Sequence, residues 1–292
     1  MTPKGHDMSC LIVGCGYLGR RVGEILANRH EQVYGTTRKA EKSRELESCG
    51  IIPVIADVLD PTTLVNLPEV DRVFYCVGFD RTAGIPFRTV YVDGLRQVLA
   101  AISDRTKKIV YASSTGVYGR DDGDWVDEDS PPNPSNDSGR VCLEAEGLLS
   151  SHCVRSGLDF NVVRFSGLYG PGRIIRRAAL ERGEPISGNP SKFLNLIHIQ
   201  DAALASIAVL DLGASGRTYL ASDDNPVERQ TYYRAAAKML EAPEPIFVPQ
   251  MTDALNSGRD ESNKRVSNRR IKEELGFRLS YPHFLAGLLA SR

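Results

Sequence analysis

Three glycines stand close together near the start of the chain, in Gly14-Cys-Gly16-Tyr-Leu-Gly19. They follow a short apolar run, residues 9–13, and precede a segment whose apolar residues have helical spacing. In a strand–turn–helix unit the first glycine permits a tight turn, the second lets the backbone approach a pyrophosphate, and the third lets helix and strand pack closely. The N–H groups that open the helix carry a partial positive charge toward the phosphates. This spacing predicts a dinucleotide site.

The end of the second predicted strand bears on which dinucleotide is bound. A site for NAD usually places an acid about 20 residues after the glycines, where it binds the 2′-hydroxyl of the ribose. The segment here is Tyr34-Gly-Thr-Thr-Arg38-Lys39, which has no acid. Thr37 can donate a hydrogen bond, and Arg38 can pair with a 2′-phosphate. We therefore expect NADP, with NAD as the alternative, although Arg38 at the start of a solvated helix is a second interpretation.

An alternation of strands and helices must position these residues. The predicted strands are 9–13, 32–36, 51–56, 72–77, 107–112 and 160–165, and the predicted helices between them are 17–29, 40–49, 90–102 and 140–152. Such connections imply right-handed βαβ units, so we expect an α/β fold with a Rossmann-type, doubly wound parallel sheet. The later predicted elements are a strand at 193–197 and helices at 199–210, 228–240, 268–276 and 282–290. We expect a dinucleotide-binding domain over 1–170 and a smaller C-terminal, substrate-side lobe over 171–292, packed as one compact body.

Composition excludes several classes of protein. The 292 residues carry a formal net charge of −1, so there is no chain-wide attraction to nucleic acid or to a membrane surface. No apolar run approaches the length that spans a bilayer. Residues 1–8 lack the apolar segment of a signal peptide, and we expect a cytoplasmic protein. Its 6 cysteines form no CxxC pair, which predicts reduced thiols and no metal site.

Several motifs in order resemble those of the extended short-chain dehydrogenase/reductase superfamily, of the NAD-dependent epimerase/dehydratase kind. Besides the glycine motif, they are Ser113-Ser-Thr-Gly-Val-Tyr-Gly119, Arg164-Phe-Ser-Gly-Leu-Tyr-Gly-Pro-Gly172 and Asn195-Leu-Ile-His-Ile-Gln-Asp201. Residues 138–141 with Glu144-Ala-Glu146 look most like its atypical, YeeZ-like group. The resemblance implies cofactor contacts from Gly14, Gly16, Tyr17, Leu18, Gly19, Thr37, Arg38, Asp57, Val58, Val77 and Ser113. Asp57 resembles the acid that contacts adenine, although spacing alone fits a plain loop residue nearly as well.

The chain departs from the family at the catalytic pair. The family's reaction uses a Tyr-x-x-x-Lys pair, in which tyrosine is the general acid and base and lysine lowers its pKa. Alignment places Ser138 at the tyrosine and Cys142 at the lysine, while Ser114 keeps the position of the catalytic serine. A serine hydroxyl is too short and too weakly acidic to replace tyrosine, and a buried, inert cysteine is the simplest interpretation of Cys142.

Two interpretations of function follow. One is an oxidoreductase, epimerase or reductase with a rearranged proton donor, for which the candidates are Tyr91, Tyr118, Tyr169 and His198. The other is a catalytically inactive module that binds NADP(H) or regulates a partner. For either, we expect a small-molecule ligand such as a nucleotide sugar or another carbonyl or hydroxyl compound, and a monomer or homodimer. Basic residues after the third motif are candidates for holding a substrate anion or for a solvated helix start: Arg173, Arg176 and Arg177.

Overall fold

The computed structural model describes residues 8–249 and 262–291, so most of the segment 1–8, on which the signal-peptide prediction rests, lies outside the described residues. The strands are β1 (Ser9–Val13), β2 (Gln32–Thr37), β3 (Ile52–Ile55), β4 (Arg72–Tyr75), β5 (Lys108–Ser114), β6 (Trp125–Val126), β7 (Asp159–Phe165), β8 (Gly167–Tyr169), β9 (Ile186–Ser187), β10 (Phe193–Leu194), β11 (Leu196–His198), β12 (Thr218–Ala221), β13 (Val227–Glu228), β14 (Phe247–Val248) and β15 (Arg265–Val266). The α-helices are α1 (Tyr17–Asn28), α2 (Ser43–Glu47), α3 (Pro61–Leu64), α4 (Gly94–Ala101), α5 (Asp137–Ser156), α6 (Arg177–Glu181), α7 (Ile199–Leu212), α8 (Arg229–Met239), α9 (Arg269–Leu275) and α10 (Phe284–Leu289).

A seven-stranded parallel sheet with the order β12-β7-β5-β4-β1-β2-β3 organises the fold. The chain runs outward from β1 through β2 to β3, and then returns to the other side of β1 for β4 and β5. The strand order therefore reverses beside β1. In open parallel sheets, ligands bind at the carboxyl ends of the strands at such a reversal. The Rossmann-type, doubly wound α/β fold expected from the sequence is confirmed.

Burial explains why the first strand and helix form where they do. All five residues of β1 are buried, as in a strand covered on both faces. On α1 the buried positions Leu18, Val22 and Leu26 recur at helical spacing and form one apolar stripe. Burying each such side chain stabilises the fold by roughly 1.5–3 kcal/mol. This packing sets the position of the glycine turn between the two elements.

The six strands predicted for the first part of the chain are present, with small differences at their ends. The seventh strand of the sheet, β12, was missed by the sequence reasoning, which assigned no element between the predicted helices at 199–210 and 228–240. The single strand predicted over 193–197 is wrong. It is divided into β10 and β11, because the side chain of Asn195 donates to the Lys264 carbonyl at 2.9 Å and accepts from the Val266 N–H at 2.8 Å.

The described residues form two compact units, each assembled from separated segments. The first contains residues of 1–113, 141–163 and 203–218, and the second those of 114–140, 164–202 and 219–292. Residues distant in sequence are brought together within each unit, as parallel strands require long connections. The division at residue 170 suggested by the sequence stays a prediction beside this grouping.

All six cysteines are free thiols. Within 8–249 and 262–291, no three or more His, Cys, Asp or Glu side chains are grouped so as to hold a metal ion. Among the helices of these same residues, none is both long enough and apolar enough to cross a membrane.

Candidate dinucleotide-binding site

The glycine turn after β1 requires glycine at two positions for packing. Gly14 has φ of 88°, in the left-handed region, and a Cβ placed on it would lie 2.6 Å from the Cα of Val77. A Cβ on Gly19 would lie 2.8 Å from the Gly14 carbonyl oxygen and 2.9 Å from Sγ of Cys76. Such distances are below any normal contact. The loop after β4 and the start of α1 can therefore approach the turn only because these residues are glycine.

Gly16 differs from the other two because nothing in the protein crowds it. It is exposed, and a Cβ on it would meet no atom within 4 Å. The turn is nevertheless held firmly from β2, since the Gly14 N–H donates to Oγ1 of Thr36 at 2.9 Å and the Cys15 N–H donates to the Thr36 carbonyl at 3.2 Å. The result is an anchored turn with open space in front of the helix start. A pyrophosphate bound at the helix start would lie on this side of the turn, where a side chain at residue 16 would obstruct it.

The two residues that open α1 have different surroundings. Tyr17 is half-buried, whereas Leu18 is buried with its side chain in the apolar stripe of α1. A ligand in front of the helix would therefore meet the backbone of Leu18 and not its side chain. The N–H groups at the start of an α-helix point away from the helix body, which suits them to phosphate oxygens.

Beyond β2, the Arg38 side chain already has an anionic neighbour. Its guanidinium lies 3.6 Å from Oδ2 of Asp80, and both side chains are 47% exposed. Oγ1 of Thr37 lies 3.3 Å from both the N–H and the carbonyl oxygen of Lys39. Asp80 was missed by sequence reasoning, because it is 42 positions away from Arg38 and belongs to no motif. Only the adjacency of β4, β1 and β2 brings the two residues together.

Asp57 lies in the turn after β3 and is half-buried. Its Oδ1 accepts from the Leu59 N–H at 3.0 Å, and its own N–H donates to Oγ1 of Thr63 at 2.9 Å. Its neighbour Val58 is buried, and a Cβ placed on Gly94 would lie 2.8 Å from Val58 Cγ2. The turn is therefore held from two sides, which fixes the direction of the Asp57 carboxylate.

Ser113 is the last residue of β5 in the first unit, and it is buried. Its Oγ donates to Oε1 of Glu146 on α5 at 2.6 Å. Glu146 is also buried, and this hydrogen bond ties the end of β5 to α5. The sequence reasoning used Glu146 only as part of the resemblance. Its link to Ser113 carries no local sequence signal.

Two of the residues that the resemblance places at catalytic positions, Ser114 and Ser138, lie in the second unit. Ser114 is half-buried, and its Oγ accepts from the Gly116 N–H at 3.0 Å at the start of a 3₁₀ turn. Ser138 is exposed, and its Oγ donates to Oδ1 of Asn136 at 2.7 Å. The same oxygen accepts from the Gly139 N–H at 2.9 Å. Ser138 thus takes part in a local hydrogen-bond pattern at the first turn of α5.

Cys142 follows one turn later on α5, in the first unit, with 5% of its surface exposed. Burial raises the pKa of its thiol to about 12, and the nearby Glu146 charge acts in the same direction. The group is therefore a neutral thiol at neutral pH. It has none of the positive charge that a lysine at this position would use to bind a ribose or lower the pKa of a tyrosine.

Three of the four candidate proton donors are buried in the second unit. Tyr118 accepts from the Arg164 guanidinium at 2.6 Å, and the Tyr169 hydroxyl lies 3.4 Å from the Phe284 carbonyl. Burial raises the pKa of Tyr169, and His198 packs edge-on against that ring at 5.4 Å between centroids. All three are buried within the packing of their unit. These contacts suit structural roles.

The fourth candidate, Tyr91, lies in the first unit. It is half-buried in a short π-helix, Thr89–Asp93, directly before α4, and its ring stacks on Phe87 with 4.2 Å between the ring centroids. Among the basic candidates, Arg173, Arg176 and Arg177 are exposed, and Arg177 pairs with Glu181 on α6 at 2.8 Å. Their exposure leaves both sequence interpretations of this segment open.

Comparison with known proteins places these features in a family. Protein YeeZ of Escherichia coli (strain K12) is 29% identical over 277 residues, which cover 93% of this chain and 95% of YeeZ. The solved structure of a functionally unknown conserved protein from Silicibacter pomeroyi is 29% identical, with a TM-score of 0.79 and coverage of 97% of each chain. The fold also matches dTDP-glucose 4,6-dehydratase from Streptomyces venezuelae, solved with NAD bound, at 20% identity and a TM-score of 0.83 over 97% of this chain and 95% of that one. Residues 10–221 match the model of the NAD dependent epimerase/dehydratase family, and the chain belongs to that family.

Proposed function

We propose that the protein binds NADP(H) in the glycine turn and belongs functionally to the oxidoreductase and epimerase-like members of its family, with an atypical active site. The observation that carries the proposal is the anchored turn whose Gly16 faces open space. Glycine at this exposed position leaves the start of α1 accessible to a phosphate group. The nicotinamide of such a cofactor supplies a site that accepts or donates a hydride.

The preference for NADP rests on the end of β2. Arg38 supplies a planar, permanently charged guanidinium that matches a phosphate, and no acid stands in the segment 34–39 to bind a free 2′-hydroxyl. Thr37 adds a hydroxyl beside it. The matching family is described as NAD dependent. The preference for NADP over NAD therefore rests on Arg38 and Thr37 of this chain and not on the family.

The proton chemistry must differ from the Tyr–Lys relay of the family. Ser138 bonds to Asn136 at the start of α5, and Cys142 is a buried neutral thiol, so neither residue supplies an acidic phenol or a cation. Ser114 keeps a hydroxyl that is able to hold a substrate oxygen. Any turnover therefore depends on a different proton donor, and Tyr91 is the partly exposed candidate.

The proposed ligand class follows from proteins that share the fold. Dehydratases of the dTDP-glucose type share the fold, which supports a nucleotide sugar or a related carbonyl or hydroxyl compound as substrate. The six free thiols suit a reducing compartment, and we place the protein in the cytoplasm. We infer a monomer or homodimer that requires no nucleic acid or membrane.

A second function, a module that binds the cofactor without turnover, is favoured by one observation. Cys142, which the resemblance places at the position of the family's lysine, is buried in the protein interior. In this case the protein would sense or buffer NADP(H), and its effect would pass through a partner.

Titration calorimetry with NADPH and NADH tests the binding proposal directly. We expect saturable binding of both, with NADPH the tighter. If neither cofactor binds, the proposal is overturned. A panel of carbonyl compounds and nucleotide sugars, monitored by NADPH absorbance, then separates the two functions: oxidation of NADPH supports the enzyme, and its persistence throughout supports the binding module.

A further inference from the structure

The Arg38–Asp80 ion pair connects the two loops that flank the glycine turn. Arg38 follows β2 directly, and Asp80 follows β4 by five residues. Both strands are neighbours of β1, in the order β4-β1-β2. A contact of 3.6 Å between the two side chains therefore lies beside the carboxyl end of β1, where the turn begins. The adenosine half of a dinucleotide has to be bound next to this pair.

Two hydrogen bonds orient the Asp80 carboxylate. Its Oδ1 accepts from the N–H of Thr82 at 3.0 Å and from Oγ1 of Thr82 at 2.6 Å. These two bonds, with smaller contributions from the charges of Arg38 and Lys39, lower the pKa of the carboxyl group. Oδ2 remains directed toward Arg38. The carboxylate is consequently oriented and ionised at neutral pH.

We propose that Asp80 is a specificity-determining residue that limits the preference of this site for a 2′-phosphorylated cofactor. The inference rests on the proposed NADP(H) function of the same site. Arg38 supplies the attraction for the 2′-phosphate, and Asp80 competes for the same guanidinium. The balance between them sets the ratio of affinities for the phosphorylated and unphosphorylated adenosine.

Two physical effects act in the same direction. A 2′-phosphate must replace the Asp80 carboxylate as the partner of Arg38, or share that partner. It also carries nearly two negative charges, which the neighbouring carboxylate repels. A 2′-hydroxyl suffers neither effect and can donate a hydrogen bond to a carboxylate. Asp80 therefore weakens binding of the phosphorylated form selectively, by a few-fold because the groups are half-exposed and screened.

Adenosine 2′,5′-bisphosphate and AMP isolate this effect, because they differ only in the 2′-phosphate. Both are titrated by calorimetry into the wild-type protein and into Asp80→Asn, which keeps a side-chain oxygen for Thr82. We expect the affinity for the bisphosphate to rise about three- to tenfold, with the affinity for AMP changed less than twofold. The gain should shrink as salt is raised, because the interaction is between charges.

Glu41→Gln is the matched control. Glu41 lies 4.0 Å from Lys39 and is more exposed than Asp80, so this variant removes one nearby negative charge without touching Arg38. We expect it to alter the ratio of affinities less than Asp80→Asn does. In addition, Asp80→Asn made in an Arg38→Ala background should give a smaller gain, since the competition for the guanidinium is gone.

Two outcomes overturn the inference and are readily told apart. An unchanged or lower ratio in Asp80→Asn, or an equal change in Glu41→Gln, removes the role of Asp80 while leaving the binding site intact. If the wild-type protein binds neither nucleotide nor NADPH, the proposed function itself fails and this inference fails with it.

Discussion

The resemblance places functional groups at both the glycine turn and the start of α5. The residues at the turn agree with the family pattern, and those at the start of α5 depart from it. At the turn, Gly14 and Gly19 are tightly packed while Gly16 faces open space. At α5, Ser138 is bonded within the first helical turn and Cys142 is buried. The turn keeps the glycine pattern on which the binding proposal rests, whereas Ser138 and Cys142 supply neither a phenol nor a cation.

The difference shows how binding and catalysis depend on sequence in separate ways. A phosphate site of this kind consists of backbone N–H groups and empty space, and only glycine spacing is needed to build it. A proton relay requires particular groups with matched pKa values. Serine at the helix start and cysteine in the core are compatible with the fold. Neither side chain supplies the acidic phenol or the cation that the relay requires.

Gly16→Val should break the binding side of the comparison most strongly. The branched side chain would occupy the open space in front of α1, and we expect loss of NADPH affinity of about 100-fold or more by calorimetry. Thermal stability should hardly change, since a Cβ there meets no atom within 4 Å. Gly147→Val is the control, because residue 147 on α5 has equally open surroundings. Retained affinity in Gly16→Val would remove the assignment of this turn.

Arg38→Ala sharpens the same side by separating the two cofactors. A charge-assisted hydrogen bond to the 2′-phosphate is lost, so NADPH affinity should fall roughly 10- to 100-fold. NADH affinity should change by no more than about threefold. Arg96→Ala, which removes another exposed arginine, serves as the control. Equal losses for the two cofactors would show that Arg38 does not bind the phosphate.

Ser138→Ala and Cys142→Ala test the catalytic side. If neither residue is the general acid or base, any measured turnover should fall less than about threefold. A positioned acid or base contributes about 10²- to 10⁴-fold, so its loss would be unmistakable. A drop of about 100-fold in Ser138→Ala, at unchanged NADPH affinity, would make Ser138 a catalytic residue and contradict the comparison.

The Cys142 thiol is expected to be unreactive in the folded protein. Its pKa is raised from 9.0 to about 12 in the folded protein, so almost no thiolate is present near pH 8. Iodoacetamide should leave Cys142 unmodified in the native protein and label it rapidly in urea, as followed by mass spectrometry. Between pH 9 and about 12 the thiol is ionised in the unfolded chain but still protonated in the folded protein. The free energy of unfolding therefore falls through this group only as the pH rises above about 9. Equal labelling in both states would show an accessible thiolate.

Local patterns were sufficient for much of the fold. Periodicity and glycine spacing located six strands of the sheet, α1 and the turn between β1 and α1, because these features depend on neighbouring residues. The departures at Ser138 and Cys142 were also visible from alignment with family motifs alone. The strand expected at 193–197 was not divided correctly, because Asn195 bonds to residues about 70 positions away.

The sequence by itself predicted a dinucleotide-binding turn and a departure from the Tyr–Lys pair of the family, and it shows no acid in residues 34–39. Only the tertiary structure decided which groups meet: Arg38 with Asp80, and Ser113 with Glu146. It also decided that Gly16 faces open space and that the Cys142 thiol is buried and neutral. The physical reason is that spacing along the chain encodes local conformation, whereas partners, burial and pKa depend on segments that strand order brings together from distant parts of the sequence.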